Sequence, residues 1–191
     1  GTYTLNLPAN YNGPVQLSYG VTDGVATTNV LKAFTANAVN DAPTLTGSPA
    51  TLSAGTEDTA YTVSAADLLQ GYSDVELSSL TITNLTPSVG TIVNNENGTY
   101  TITPPANYFG TVTLNYGVSD GTDTTAATQS FTITSVNDVP TLTSAGVTLS
   151  AATEDIPYTI NVADLLQGYS DADGDILSLA NLTTSRGTLT N

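Results

Sequence analysis

One interval, 97 residues, organises this chain from end to end. Gly1-Thr2-Tyr3-Thr4 returns as Gly98-Thr99-Tyr100-Thr101, and Pro8-Ala9-Asn10-Tyr11 returns as Pro105-Ala106-Asn107-Tyr108. Asn40-Asp41-Ala42-Pro43 comes back as Asn137-Asp138-Val139-Pro140, and the run from Asp67 to Asp74 comes back as the run from Asp164 to Asp171. No insertion or deletion separates the copies. A solenoid coil uses about 20–45 residues, whereas a β-sandwich domain uses about 100, so each copy is long enough to hold its own core and the copies read as beads on a string. Residues 41–137 make one complete repeat. Residues 1–40 are the C-terminal half of one repeat, and 138–191 are the N-terminal half of another.

Inside a repeat the apolar residues alternate. Tyr3, Leu5 and Leu7 do so, as do Val15, Leu17, Tyr19 and Val21, and again Val112, Leu114, Tyr116 and Val118. A period of two is that of strands with one face buried. Thr-rich segments at 80–86 and 130–134 favour pleated sheet, and clusters of Gly, Pro, Asn and Asp punctuate them at the spacing of a Greek-key sandwich. The expected fold is all-β, an Ig-like sandwich. Its strands are A (44–53), B (60–64), C (79–85), D (88–93), E (98–103), F (111–118) and G (126–135), with one brief helical stretch at 65–70. Residues 1–40 then supply strands E, F and G, and residues 141–191 supply A to about D. Three strands with a bare core face are not stable alone, so the halves need completing. Adjacent repeats of the same polypeptide would do this, or identical chains joined head to tail in a filament.

At these residues the chain resembles bacterial cadherin-like tandem repeats of large extracellular adhesins. "NDAP" stands before strand A, "TEDT" after it, "DADGD" after strand B, "PANYFGT" before strand F and "GVSDG" after it. The resemblance covers the whole chain. It implies extracellular location, adhesion-related display and Ca²⁺-dependent rigidity, with the ions at the junctions between repeats.

The charge agrees with that expectation. Seventeen acids face two cations, Lys32 and Arg186, for a formal charge of -15. Such a surface repels nucleic acid and anionic membranes and attracts cations. The 97-residue offset pairs Asp23 with Asp120, Asp41 with Asp138, Glu57 with Glu154 and Asp58 with Asp155. It also pairs Asp67 with Asp164, Asp74 with Asp171 and Glu76 with Asp173. Acids needed only for solubility could stand anywhere. Recurrence at fixed loop positions points to a hard cation, and calcium takes six to eight oxygen ligands. There is no His and no Cys to hold zinc or copper.

Successive loops of a sandwich alternate between its two ends, which sorts these acids into two candidate Ca²⁺ sites. One gathers Glu57 and Asp58 from the A–B loop, Asn137 and Asp138 from the linker, and Asp171, Asp173 and Asp175 from the B–C loop of the next repeat. The other gathers Asn40, Asp41, Asp74, Glu76 and Asp120. The two differ in one loop: Asp171-Ala172-Asp173-Gly174-Asp175 stands opposite Asp74-Val75-Glu76-Leu77-Ser78, which lacks one acid and the turn glycine. The first site is therefore expected to bind calcium more tightly.

Other features have blander readings. Asp67 and Asp164 suit N-caps of the helical turn. Tyr72, Tyr108, Phe109 and Tyr116 suit core and corner packing, and a carbohydrate-binding module would instead need an exposed aromatic platform. Without His, Cys or a nucleophile-elbow pattern the chain is not expected to be an enzyme. No apolar run is long enough for a membrane span, so no membrane insertion is expected in this segment.

Overall fold

The computed structural model describes residues 1–190. The described chain divides into two compact units. The first comprises Gly1–Ser53, Ala60–Thr103 and Thr111–Phe131. The second comprises Ala54–Thr59, Pro104–Gly110 and the chain from Thr132 onward. Strands dominate the first unit, as the alternating pattern requires, whereas the second has only short strand segments. In chain order the elements are β1 (Gly13–Thr22), β2 (Thr27–Ala36), β3 (Thr44–Leu45), β4 (Gly55–Thr56), β5 (Tyr61–Ser64), α1 (Ala65–Leu69), β6 (Tyr72–Ser73), β7 (Thr81–Pro87) and β8 (Thr91–Asn94). They continue with β9 (Thr99–Thr103), β10 (Gly110–Ser119), β11 (Thr124–Thr134), β12 (Thr141–Leu142), α2 (Val162–Leu166) and β13 (Tyr169–Ser170).

The first unit contains the hairpin β1–β2, with Val15 opposite Phe34 and Tyr19 opposite Val30. It also contains most of a sandwich. In one layer β9 lies between β5 and β8; in the other β10 lies between β11 and β7. The inward positions of these strands form the core: Val63, Ile102, Val112, Leu114, Val118 and Phe131 are all buried. Phe131 stacks on Tyr61 with ring centroids 3.8 Å apart and planes at 11°. Leu68 of α1 closes one side of the core. Its carbonyl accepts a 2.9 Å hydrogen bond from the Tyr116 hydroxyl. Burial, with a smaller contribution from Tyr72, pushes the Tyr116 phenol up to about 12, so it stays protonated and available to donate.

Three local details differ from the sequence reading. Strand A does not run through 44–53. It is the short β3, followed by coil and then β4, because Thr46 and Gly47 both donate to the Gly71 carbonyl instead of to a ladder. Pro49 within the segment has no N–H to pair. Asp67 is not the N-cap of α1. Ser64 is, accepting from the Asp67 N–H at 3.0 Å, while the Ser64 hydroxyl donates back to the Asp67 carboxylate at 2.6 Å. Ser64 thus satisfies the N–H of the third helical residue, and the Asp67 carboxylate holds the capping hydroxyl in return. At α2 the cap position is Asn161, whose side-chain amide donates to Asp164 at 3.2 Å.

The third difference is larger. Strand E of residues 1–40 and strands B to D of residues 138–190 are not formed. In the complete repeat β9 is held on both edges, by β5 and by β8. Residues 2–6, its equivalents, have neither neighbour in the described structure, and Tyr3 and Leu5 are exposed. A strand without a ladder partner leaves its backbone groups to water and gains nothing by staying extended.

The left-handed turn positions recur with the sequence. Asn10 and Asn107, Asp58 and Asp155, and Asn84 and Asn181 all have positive φ. So do Leu77 and its equivalent Gly174, at 60° and 81°. Leu77 is an almost fully exposed leucine in a left-handed conformation that glycine adopts freely. Leu77→Gly is therefore expected to stabilise the protein by about 1 kcal/mol, less the unfolded-state entropy that glycine adds. A higher urea midpoint with an unchanged slope is the expected reading, and a lower midpoint would refute the assigned strain.

Candidate metal centre

In the second unit a short parallel pairing sets the position of a glutamate. Gly55 and Thr56 of β4 lie beside Ile133 and Thr134 at the end of β11, and the ladder continues as Glu57 N–H donates to the Thr134 carbonyl at 3.0 Å. This carries the Glu57 side chain to the linker, where Oε1 accepts from the Val136 N–H at 2.5 Å. The next residue, Asp58, turns with φ 56° and accepts from the Asn107 N–H at 2.9 Å.

The linker is tied to the Asp171–Asp175 loop in the same way. Asp138 N–H donates to Asp173 Oδ2 at 2.8 Å, and the Ser135 hydroxyl donates to Asp173 Oδ1 at 2.5 Å. The loop is closed by Asp171, whose Oδ1 accepts from the N–H groups of Asp173 and Asp175 at 3.0 and 3.2 Å. Gly174, in its left-handed conformation, donates to the Asp171 carbonyl at 3.3 Å.

The outcome is a convergence of Glu57, Asp138 and Asp173, whose ligand oxygens all lie within 4.8 Å of one another. Glu57 is only 4 % exposed, and its Oε2 is buried with no hydrogen-bond partner. Asp138 Oδ2 is buried and unpartnered too. Desolvation raises the Asp138 carboxyl above its ordinary value, and the negative charges of Asp58, Asp173, Glu57 and Asp171 raise it further. No cation is among the groups that act on it. The hydrogen bonds from Ser135 and the Asp138 backbone hold Asp173 lower. Carboxylates crowded together, two of them with a bare buried oxygen, leave an electrostatic debt that a hard cation with oxygen ligands would settle. Asn137 turns its amide to the Asp138 carbonyl at 2.9 Å, and Asp175 is exposed.

The first unit repeats part of this arrangement. Asp41 N–H donates to Glu76 Oε2 at 3.0 Å, the same bond one repeat earlier as that from Asp138 to Asp173. Asp74 is buried, with Oδ1 accepting from the Ser78 N–H at 2.9 Å and Oδ2 unpartnered. Asn40 donates to Asp120 Oδ2 at 2.9 Å and to Asp123 Oδ2 at 2.8 Å. Asp120 also accepts from the N–H groups of Asp123 and Thr122, and these bonds, with the one from Asn40, lower its carboxyl. Among the described residues no three acids of this group converge as Glu57, Asp138 and Asp173 do. Asp123 is absent from the sequence-derived set because its equivalent 97 residues earlier is Ala26. Its placement one turn beyond Asp120, in the "DGTD" turn, was the available signal.

Among the described residues no helix is long and apolar enough to cross a membrane. A family model described as a cadherin-like domain matches residues 39–134 and again 136–191. No curated protein matches the chain. Two solved structures are similar over part of it: endo-fucoidan hydrolase MfFcnA4 from glycoside hydrolase family 107, at 25% identity, and a variant of that enzyme, at 24%. Each match covers 65% of this chain and 19% of the hydrolase, with a TM-score of 0.38, below that of a common fold.

Proposed function

Since this chain belongs to the cadherin-like domain family, we propose that it is a repeat segment of a long extracellular surface adhesin or stalk, stiffened by calcium and without catalytic activity of its own. One observation carries the reading: Glu57, 4 % exposed, aims an unpartnered carboxylate oxygen into a group with Asp138 and Asp173. The oxygen-only donor set suits calcium, and Glu57, Asp138 and Asp173 would hold the ion, with Asp171 and Asp58 adding negative charge. Bound there, calcium supplies the positive charge that the cluster lacks. The protein's part is to tie three segments together at one point: the A–B loop through Glu57, the linker through Asp138 and the "DADGD" loop through Asp173. With that tie neutralised, the linker has little freedom to swing; without it, mutual repulsion loosens the same segments.

Calorimetric titration with calcium tests this. Asp173→Ala is expected to abolish the tightest binding step or weaken it by about 100-fold, and Glu76→Ala is expected to leave it nearly unchanged. The difference follows from geometry, since Asp173 belongs to a convergent set of three carboxylates and Glu76 does not. An Asp173→Ala protein that binds its first calcium as tightly as before would refute the assignment.

A further inference from the structure

The turn between β8 and β9 carries an Asn97-Gly98 pair, and both residues are exposed. The turn is closed around them by its own amides. Asn95 N–H donates to the Thr99 carbonyl at 3.0 Å, Glu96 N–H donates to Asn94 Oδ1 at 2.9 Å, and the Gly98 carbonyl accepts from the Ala65 N–H at 2.8 Å. The Asn97 side chain folds forward over the next peptide, where its Oδ1 accepts from the Thr99 N–H at 3.1 Å and from the Thr99 hydroxyl at 2.7 Å. Asn95 aims that hydroxyl, because its side-chain amide donates to Thr99 Oγ1 at 2.9 Å and so occupies a lone pair. The Gly98 N–H is left over, with no acceptor among the described residues. Gly98 has φ 81°, and nothing lies within 4 Å of the place a Cβ would occupy.

We propose that Asn97 is a self-modification site, converted in the folded protein to aspartate and isoaspartate by attack of its own backbone. The chemistry needs only water. The Gly98 nitrogen gives up its proton to hydroxide and bonds to Asn97 Cγ, while the carbonyl pair moves onto Oδ1. The tetrahedral intermediate collapses, the Cγ–Nδ2 bond breaks, and the amide nitrogen takes a proton and leaves as ammonia. A five-membered succinimide remains. Water opens it at either carbonyl, giving aspartate or an isoaspartate whose backbone runs through the former side chain. The turn favours the first step in two ways. Its nucleophile is not tied up in the ladder, and a residue without Cβ leaves the approach open. The two donors on Oδ1 stand where negative charge develops as Cγ becomes tetrahedral, in the manner of an oxyanion hole. The other Asn-Gly pair, Asn12-Gly13, has neither advantage. Gly13 lies in the β1–β2 ladder opposite Ala36, and among the described residues no hydrogen bond reaches the Asn12 side chain. Conversion adds a negative charge beside Glu96 in a chain already at -15, and isoaspartate lengthens the turn between β8 and β9 by one backbone methylene.

Peptide mapping of the folded protein during incubation at mildly alkaline pH tests the proposal, with ammonia release and isoaspartate-specific methylation as second readouts. Asn97 is expected to convert ahead of Asn12, a comparison that needs no variant. Thr99→Val removes the hydroxyl donor and keeps the backbone donor at almost the same side-chain volume. It should slow conversion at Asn97 about fivefold, the effect of one net hydrogen bond, and leave Asn12 unchanged. Thr99→Ser keeps the hydroxyl and should convert as the unsubstituted protein does. Circular dichroism checks that both variants fold. In urea, where the turn is lost, Asn97 should convert at the same rate in all three proteins. A folded protein whose Asn97 stays an amide overturns the proposal, as does one that converts Asn12 as fast as Asn97. So does a folded Thr99→Val protein that converts Asn97 as fast as the unsubstituted one, or a difference between them that persists in urea.

Discussion

In chelator at neutral pH, Asp138→Asn is expected to melt above the unsubstituted protein, and in saturating calcium it is expected to melt below it. The crossover follows from the sign of one shift. The Asp138 carboxyl is raised by desolvation first and then by the charges of Asp58, Asp173, Glu57 and Asp171. The folded state therefore holds that proton more tightly than the unfolded state does. Without metal, the folded protein loses stability as pH rises from the ordinary carboxylate value of about 3.9 through the raised one. An amide of the same shape removes the charge and the loss with it. Asp173 and Asp120 act in the opposite sense. Their lowered carboxyls contribute stability that is present above the ordinary value and disappears as pH falls through the lowered one.

With calcium bound, the same charge turns from a liability into a ligand. Its loss should weaken binding on the order of 100-fold, and most of the calcium-induced rise in melting temperature should go with it. Differential scanning calorimetry in chelator and in excess calcium reads both arms. A variant that melts below the unsubstituted protein in both conditions would mean that Asp138 serves packing, not charge.

The second large effect contrasts two residues at one repeat position. Phe131→Ala should cost about 3–5 kcal/mol, the range for deleting a buried aromatic ring, since Phe131 is 3 % exposed and stacked on Tyr61. Phe34→Ala, 97 residues earlier and 44 % exposed, should cost less than about 1 kcal/mol, because a half-exposed ring loses little burial on truncation. Urea unfolding at low protein concentration compares them. Equal costs would show that the β1–β2 hairpin already buries Phe34 in the single chain.

That contrast also marks the boundary of what could be read from residues alone. The repeat, the strand period and the acid positions are local or periodic properties. Val112, Leu114, Tyr116 and Val118 alternate whatever surrounds them, and so β10 was legible before any coordinates, as were β11 and the helical turn at α1. The grouping of Glu57 with Asp138 and Asp173 was legible as well, because loop parity in a sandwich brings those loops to one end. Parity carries no information about depth. The short β4–β11 pairing is what buries Glu57 and strips one of its oxygens of partners. Asp123 escaped because it has no counterpart in the earlier copy, although Asn40 bridges it to Asp120. Strand formation at residues 2–6 and 157–161 was overread for the same reason that Phe34 and Phe131 differ. Identical local patterns behave differently when one has its non-local partners and the other does not, because a strand gains its hydrogen bonds and its apolar burial from neighbours distant in the chain. Periodicity thus determined which residues are able to form the sandwich and where its acids recur, while tertiary pairing decided which of those strands exist, which carboxylates are desolvated and which core faces stay open.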